Sequence, residues 1–256
     1  MDQAVAQNQD LAGRLISALR QDEFILYGQL IAPLDPDGEG RPFQEILIRF
    51  QEEETLLLPP GSFFPVLEEC GLMHYLDRWV VNRIAKWVRH MLAIKPDWSV
   101  PRNSINLSTG TLSDLKFAEY TRRHLHGGAL PEGTLSFEVT CDSAVLHVES
   151  LLGLMAQLKP AGCCFSLARF GGDKGAFELL RRLAPEFVKL SPALVRMLDQ
   201  GRAGLERFDA INRACQELGV KTIAEHVESD HTLAQLRRLG INFGQGFGIQ
   251  APQPLA

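Results

Sequence analysis

No apolar run in this chain approaches the roughly 18 residues needed to cross a bilayer. The opening residues, MDQAVAQNQD, are polar and acidic and hold no apolar signal core, so a cytoplasmic location is expected. Basic charge is also scarce: 26 Lys and Arg stand against 31 Asp and Glu, for a net charge of −5 at pH 7. That argues against the broad basic face used to bind duplex nucleic acid, but leaves room for a small basic pocket that holds one anion. The cysteines are Cys70, Cys141, Cys163, Cys164 and Cys215. Their number is odd and no C-x2-C half-site finds a second half, so they read as buried thiols in a reducing compartment rather than zinc ligands or disulfides. No linker, low-complexity tract or fixed-period repeat divides the chain, so residues 1–256 are expected to form a single domain.

What is present is a soluble-type composition, 45% hydrophobic and 22% charged, with enough length for a large core. Leu11, Leu15, Ile16 and Leu19 recur at helical spacing and predict an amphipathic helix over about 10–22. Short apolar runs then read as strands at 24–33, 43–50, 104–108, 135–141, 163–170, 187–191, 221–227 and 243–250. Helical patterns fall between most of them. GSFFPVLEECG reads as a helix with Ser62 as N-cap and Gly71 as stop; others span 76–92, 114–126, 144–159, 174–183 and 205–218. DPDGEGR (35–41) reads as a turn cluster. Repeated strand–helix units imply a mainly parallel sheet, and eight strand candidates in 256 residues suggest a closed (β/α)8 barrel.

Several predicted strands carry a polar residue inside an apolar run: Gln29, Glu45, Asn106, Glu138, Lys189, Glu225 and Gln245. An isolated buried carboxylate is costly unless it is paired or coordinated. In a parallel barrel such residues would meet at one mouth, where oxygen ligands suit a hard divalent cation. Taken singly, each has the bland reading of a strand residue on a solvated face. Phe165–Gly175, FSLARFGGDKG, is a Gly-rich loop after a strand, but it lacks the spacing and the Lys-Ser/Thr of a P-loop.

Ordered along the chain, these motifs resemble the EAL domain family, whose members hydrolyse cyclic di-GMP in bacteria. EILIR (45–49) is similar to the signature, YGQLIAP to the first strand, and PPGSFFPVLEECGLMHYLDRWV to the P-x-x-F-I-P…L-D-x-W segment. INLS, FEVTC, FVKLS, AEHVES and GQGFGIQAPQPL resemble the later strands. The resemblance runs from about Phe24 to Pro254. It implies a TIM-like barrel whose first strand is antiparallel to its neighbours, here a barrel over 23–256 preceded by the helix within 1–22. It also implies roles. Glu45, Asn106 and Glu138 match metal ligands, and Glu225 matches a glutamate needed at the metal site. Lys189 matches the active-site lysine, Gln245 the glutamine of Q-G, and Arg49 an arginine on a substrate phosphate. Gln29 and Leu47 match nucleotide-contact positions.

The departures from the pattern are concentrated. The family's paired aspartates are Ala168 and Arg169 here; Thr-Gly becomes Gly172-Asp173, and Ser-Ser becomes Gly175-Ala176. Ser191, Cys141 and His226 replace an Asp, a Glu and a Gly. At about 4 Å and an effective dielectric near 20, a unit positive charge in place of a ligand opposes each charge of a cation by roughly 4 kcal/mol. The site is therefore expected to have lost its metal, either by this repulsion or because Arg169 neutralises Glu45 or Glu138 directly and replaces the metal by an ion pair. The resemblance then implies a catalytically inactive cyclic di-GMP receptor, with remnants Lys189 and Glu225 and ligand contacts from Gln29, Glu45, Leu47, Arg49 and Gln245. The alternative is a regulator free of metal and nucleotide that binds a protein partner. A residual phosphodiesterase using Mg2+ or Mn2+ is the third reading. A homodimer through the barrel face near 168–176 stays open.

Overall fold

The structure, a computed structural model, describes residues 2–35, 41–51, 57–126 and 130–255, and for 2–10 the backbone only. Most of the 35–41 turn cluster lies outside the described residues. Helix α1 (Asp2–Gln21) leads into β1 (Phe24–Leu30), β2 (Ala32–Pro33), β3 (Phe43–Gln51) and β4 (Leu57–Leu58). Helices α2 (Pro60–Glu69) and α3 (Met73–Ile94) precede β5 (Arg102–Asn106), then α4 (Thr109–Leu112) and α5 (Phe117–His126). β6 (Leu135–Thr140), α6 (Cys141–Leu146), α7 (Val148–Leu158), β7 (Cys164–Phe170) and α8 (Lys174–Leu183) follow. The chain continues through β8 (Phe187–Leu190), α9 (Pro192–Val195), α10 (Gly201–Glu217), β9 (Lys221–Ala224) and α11 (Asp230–Arg238) to β10 (Phe243–Gly244) and β11 (Gln253–Pro254). None of the described helices is long and apolar enough to cross a membrane.

From β3 to β10 the neighbouring strands β3-β5-β6-β7-β8-β9-β10 are all parallel. β1 is antiparallel to β3, and its continuation β2 is antiparallel to β10, so the first strand closes the ring from both sides. This is the expected TIM-like barrel with its first strand antiparallel. β11 adds to the outer edge of β1 at Tyr27 and Gly28.

Alternation along the strands builds the interior in layers. A lower layer joins Ile31, Phe43, Phe187 and Ile223, with Phe243 and Cys164 packed against it. The Phe43 and Phe187 rings are 5.1 Å apart. Two residues toward the C-terminal strand ends, the same inward positions become Glu45, Lys189, Glu225 and Gln245. The apolar plug thus closes the floor beneath a polar mouth. Outward positions such as Ile46, Ile48, Phe50, Phe137, Phe165 and Leu167 join the main core under the helices. On α3, Leu76, Val80, Val81, Ile84 and Val88 supply the buried stripe expected at helical spacing.

Some readings need correction. α2 is capped by Pro59 with Pro60 at its first position, not by Ser62, whose amide donates to the Pro59 carbonyl. Pro at the first helical position lacks an N–H that would be unsatisfied there anyway. Gly71 does end the helix, in the left-handed conformation. The last strand stops at Gly244, and Glu225 follows β9 rather than lying in it. The 144–159 helix is broken at His147 into α6 and α7, and α11 lacked a sequence counterpart. Not every cysteine is buried: Cys163 and Cys215 are, Cys141 and Cys164 are half-buried, and Cys70 is exposed.

Candidate functional site

Lys189 sits at the centre of the mouth, carried on β8 two residues above Phe187 and fully buried. Its ammonium donates to Glu45 Oε2 and Glu138 Oε2, each at 2.7 Å, and lies 3.8 Å from Glu225 Oε1. Burial works to lower the lysine pKa, but the carboxylates of Glu138, Glu45 and Glu225 overcome it and hold Lys189 charged. Burial likewise works against the Glu45 carboxylate, but Lys189 together with the Asn106 and Gln245 hydrogen bonds outweighs it, so its pKa falls. Glu138 goes the other way: burial, with Glu45 and Glu225 beside it, pushes its pKa up to about 7 despite Lys189. Glu225 is raised as well, by burial first. Strands β3, β6 and β8 and the turn after β9 thus place one cation among three carboxylates, a buried cluster whose charges depend on one another.

The second tier of contacts fixes the geometry. Glu45 Oε1 accepts from Asn106 Nδ2 at 2.7 Å, and Glu45 Oε2 accepts from Gln245 Nε2 at 2.7 Å. Gln245 also donates to Gln29 Oε1 at 3.0 Å, and Gln29 donates to the Gln250 carbonyl at 3.1 Å. Ser104 donates to Glu138 Oε2 at 3.1 Å. Gly246 has a packing reason to be glycine: a Cβ there would meet backbone atoms of Val227 at 2.3 Å. That close approach holds Gln245 beside the Glu225 loop.

The structure therefore brings together Gln29, Glu45, Asn106, Glu138, Lys189, Glu225 and Gln245. Leu47 and Arg49 share the Glu45 face of β3, one and two alternations further along. Leu47 lines a cavity of about 400 Å³ at the mouth with Phe64, Asn106, Ser108, Thr140 and Arg169. Arg49 lies over the Tyr27 ring at 5.4 Å and donates to the Ile48 carbonyl at 2.9 Å.

Of the two ways in which Arg169 could displace a metal, the ion pair to Glu45 or Glu138 is not formed. Lys189, not Arg169, takes Glu45 and Glu138, and Arg169 stays exposed. The sequence reading missed Asp77 and Ser104. Asp77 is buried on α3, and its Oδ2 accepts from Ser108 N, Ser108 Oγ and Thr111 Oγ1 at 2.9, 2.8 and 2.6 Å. It ties the β5–α4 turn below the mouth cavity. A carboxylate between Leu76 and Trp79, on a stripe of apolar residues, was the available signal. The Gly-rich loop is no phosphate cradle: Asp173 caps α8, its side chain accepting from Ala176 N at 2.9 Å.

The donor set does not fit a two-cation centre. The end of β7 offers the Ala168 methyl and the Arg169 guanidinium, neither of them an oxygen ligand. Both Glu45 oxygens and Glu138 Oε2 already accept hydrogen bonds.

The chain matches known proteins along almost its whole length. The cyclic di-GMP phosphodiesterase PdeB of Shewanella oneidensis is 29% identical over 245 residues, which is 96% of this chain and 28% of that protein. The chain thus spans less than a third of that relative. The FimX EAL domain of Pseudomonas aeruginosa, solved bound to c-di-GMP, superposes with a TM-score of 0.88 at 25% identity, covering 96% of this chain and 97% of that one. The FimX EAL domain of Xanthomonas citri shares the fold at a TM-score of 0.91 and 21% identity, covering 99% and 97%. The profile of the EAL domain matches residues 12–252, and the chain belongs to that family.

Proposed function

We propose that this EAL domain is a receptor that binds cyclic di-GMP and does not hydrolyse it. The observation that carries the reading is the end of β7, where Ala168 and Arg169 offer no side-chain oxygen to a cation. Hydrolysis of a phosphodiester by two metals needs cations that lower the pKa of the attacking water and stabilise the developing charge. Lys189 offsets part of the negative charge of Glu45 and Glu138 through ion pairs of 2.7 Å each, a charge that bound cations would otherwise have to meet. The neighbouring FimX EAL domain was solved with c-di-GMP bound, which supports the same ligand here. Arg49, Leu47 and Gln245 are the contacts we assign to it, with Gln29 and Glu45 behind them. The test is titration with cyclic di-GMP in EDTA and in Mg2+. Saturable binding that chelation leaves unchanged supports the receptor; binding lost on chelation supports a metal-dependent phosphodiesterase.

A second reading, a regulator that holds a protein partner and no nucleotide, draws on exposed apolar side chains. Leu115 is 95% exposed and Leu146 is 77% exposed. Absence of any nucleotide binding in the same titration would favour it.

A further inference from the structure

Arg169 is built into the mouth in an unusual way. Its φ is +56°, a left-handed conformation that side chains with a Cβ adopt rarely. The pairing of β7 with β8 shifts register between Leu167 and Phe170, so the strand bulges at Ala168 and Arg169. Bulges re-aim a side chain, and strained backbone of this kind gathers at binding sites. The re-aimed side chain borders the 400 Å³ mouth cavity together with Leu47, Asn106, Thr140 and Ser143. Across the mouth its charge also lowers the Glu225 pKa, against the larger effect of burial.

The guanidinium makes no hydrogen bond or ion pair among the described residues. The carboxylates that would attract it are occupied by Lys189. What remains is a cation with five N–H donors, its backbone set by the bulge, bordering an open cavity. Its fork matches two oxygens of one phosphate. A divalent cation held by aspartates at the same strand end would present positive charge to the same place.

We infer that Arg169 anchors a phosphodiester group of the ligand directly, supplying from the protein the positive charge that a bound metal would otherwise supply. The inference rests on the cyclic di-GMP reading above and names the residue that makes binding independent of metal. It is separate from Arg49, which lies on the Tyr27 ring.

The experiment is calorimetric titration of cyclic di-GMP in EDTA, with folding of each variant checked by its melting temperature. Arg169→Ala is expected to weaken binding about tenfold to a hundredfold, as loss of a charge-assisted pair of hydrogen bonds does. Arg169→Lys should recover part of that, and Arg181→Ala, at the far end of α8, should bind like the wild type. The double variant Ala168→Asp, Arg169→Asp should lose binding in EDTA and regain it in Mn2+, a switch that a purely structural role for Arg169 would not produce. Unchanged affinity in Arg169→Ala overturns the inference and leaves the receptor reading standing. Failure of the wild type to bind at all overturns both.

Discussion

The Lys189 ammonium lies 2.7 Å from a Glu138 carboxylate oxygen, and the two side chains are 0% and 5% exposed. Removing one partner of such a pair leaves buried charge uncompensated, at a cost of about 3–5 kcal/mol. Lys189→Met should lose about that much stability at pH 8. The loss should shrink toward pH 5, because the orphaned carboxylates, with raised folded pKa values, are then protonated. Urea unfolding at both pH values reads this; equal midpoints for wild type and variant at pH 8 would show that the lysine holds nothing together.

Asp77 has its pKa raised from 3.8 to about 6, by burial first, with the Thr111 and Ser108 hydrogen bonds opposing. A group raised in the folded state favours folding most below its unfolded pKa and loses that contribution as pH rises through the folded value. Stability should therefore fall by up to about 3 kcal/mol between pH 4 and pH 7 on account of this residue. Asp77→Asn keeps an acceptor oxygen and cannot ionise. Its melting temperature should equal or exceed that of the wild type at pH 7.5, with the gap closing near pH 4. A variant with the same pH profile as the wild type would refute the assignment.

Asp173 is read as a helix cap, not a ligand residue. Asp173→Ala should cost about 1 kcal/mol of stability and leave nucleotide affinity within twofold. A large loss of affinity at unchanged stability would return the loop to the binding site.

Most of the fold was legible because alternation and helical spacing follow from how each element packs. The inward positions of β3 and β8 read Phe-x-Glu and Phe-x-Lys, and Ile223 of β9 with Glu225 just beyond it repeats the spacing, so the plug and the polar mouth appear in sequence as one pattern. The last strand was overextended because the turn after Gly244 keeps apolar alternation. Gly246 and Gly248 pack there against the backbone of Val227 and Glu228 instead of continuing a ladder. α11 was missed because only Leu236 on it is buried, which is too little to mark a stripe. The polar residues of the mouth stood out as breaks in apolar strand runs, while their partners were not legible. That Lys189 rather than Arg169 takes the carboxylates depends on the bulge in β7 and the left-handed Arg169 backbone, which tertiary packing sets. Asp77 was hidden for a plainer reason: a single carboxylate in an apolar helix reads as a solvated edge until the α4 turn is seen docked onto it.

Restoring oxygen ligands at the end of β7 should restore affinity for divalent cations. Ala168→Asp with Arg169→Asp adds two carboxylates beside Glu138 and Glu225 and removes one positive charge. Calorimetry with Mn2+ in the absence of nucleotide should show at least a tenfold gain over the wild type, on the order of 1.4 kcal/mol. No gain would mean that the remaining oxygens do not converge on a cation. Hydrolysis need not return, since Cys141, Ser191 and His226 also differ from the family pattern.

The most direct measurement follows the fate of the nucleotide itself. The protein is incubated with stoichiometric cyclic di-GMP in millimolar Mn2+ and passed through a desalting column, and the nucleotide that travels with it is identified by mass spectrometry. The account predicts intact cyclic di-GMP bound near one per chain, in the same amount when EDTA replaces Mn2+. Linear pGpG or GMP formed within minutes would contradict it, as would protein that emerges with no nucleotide.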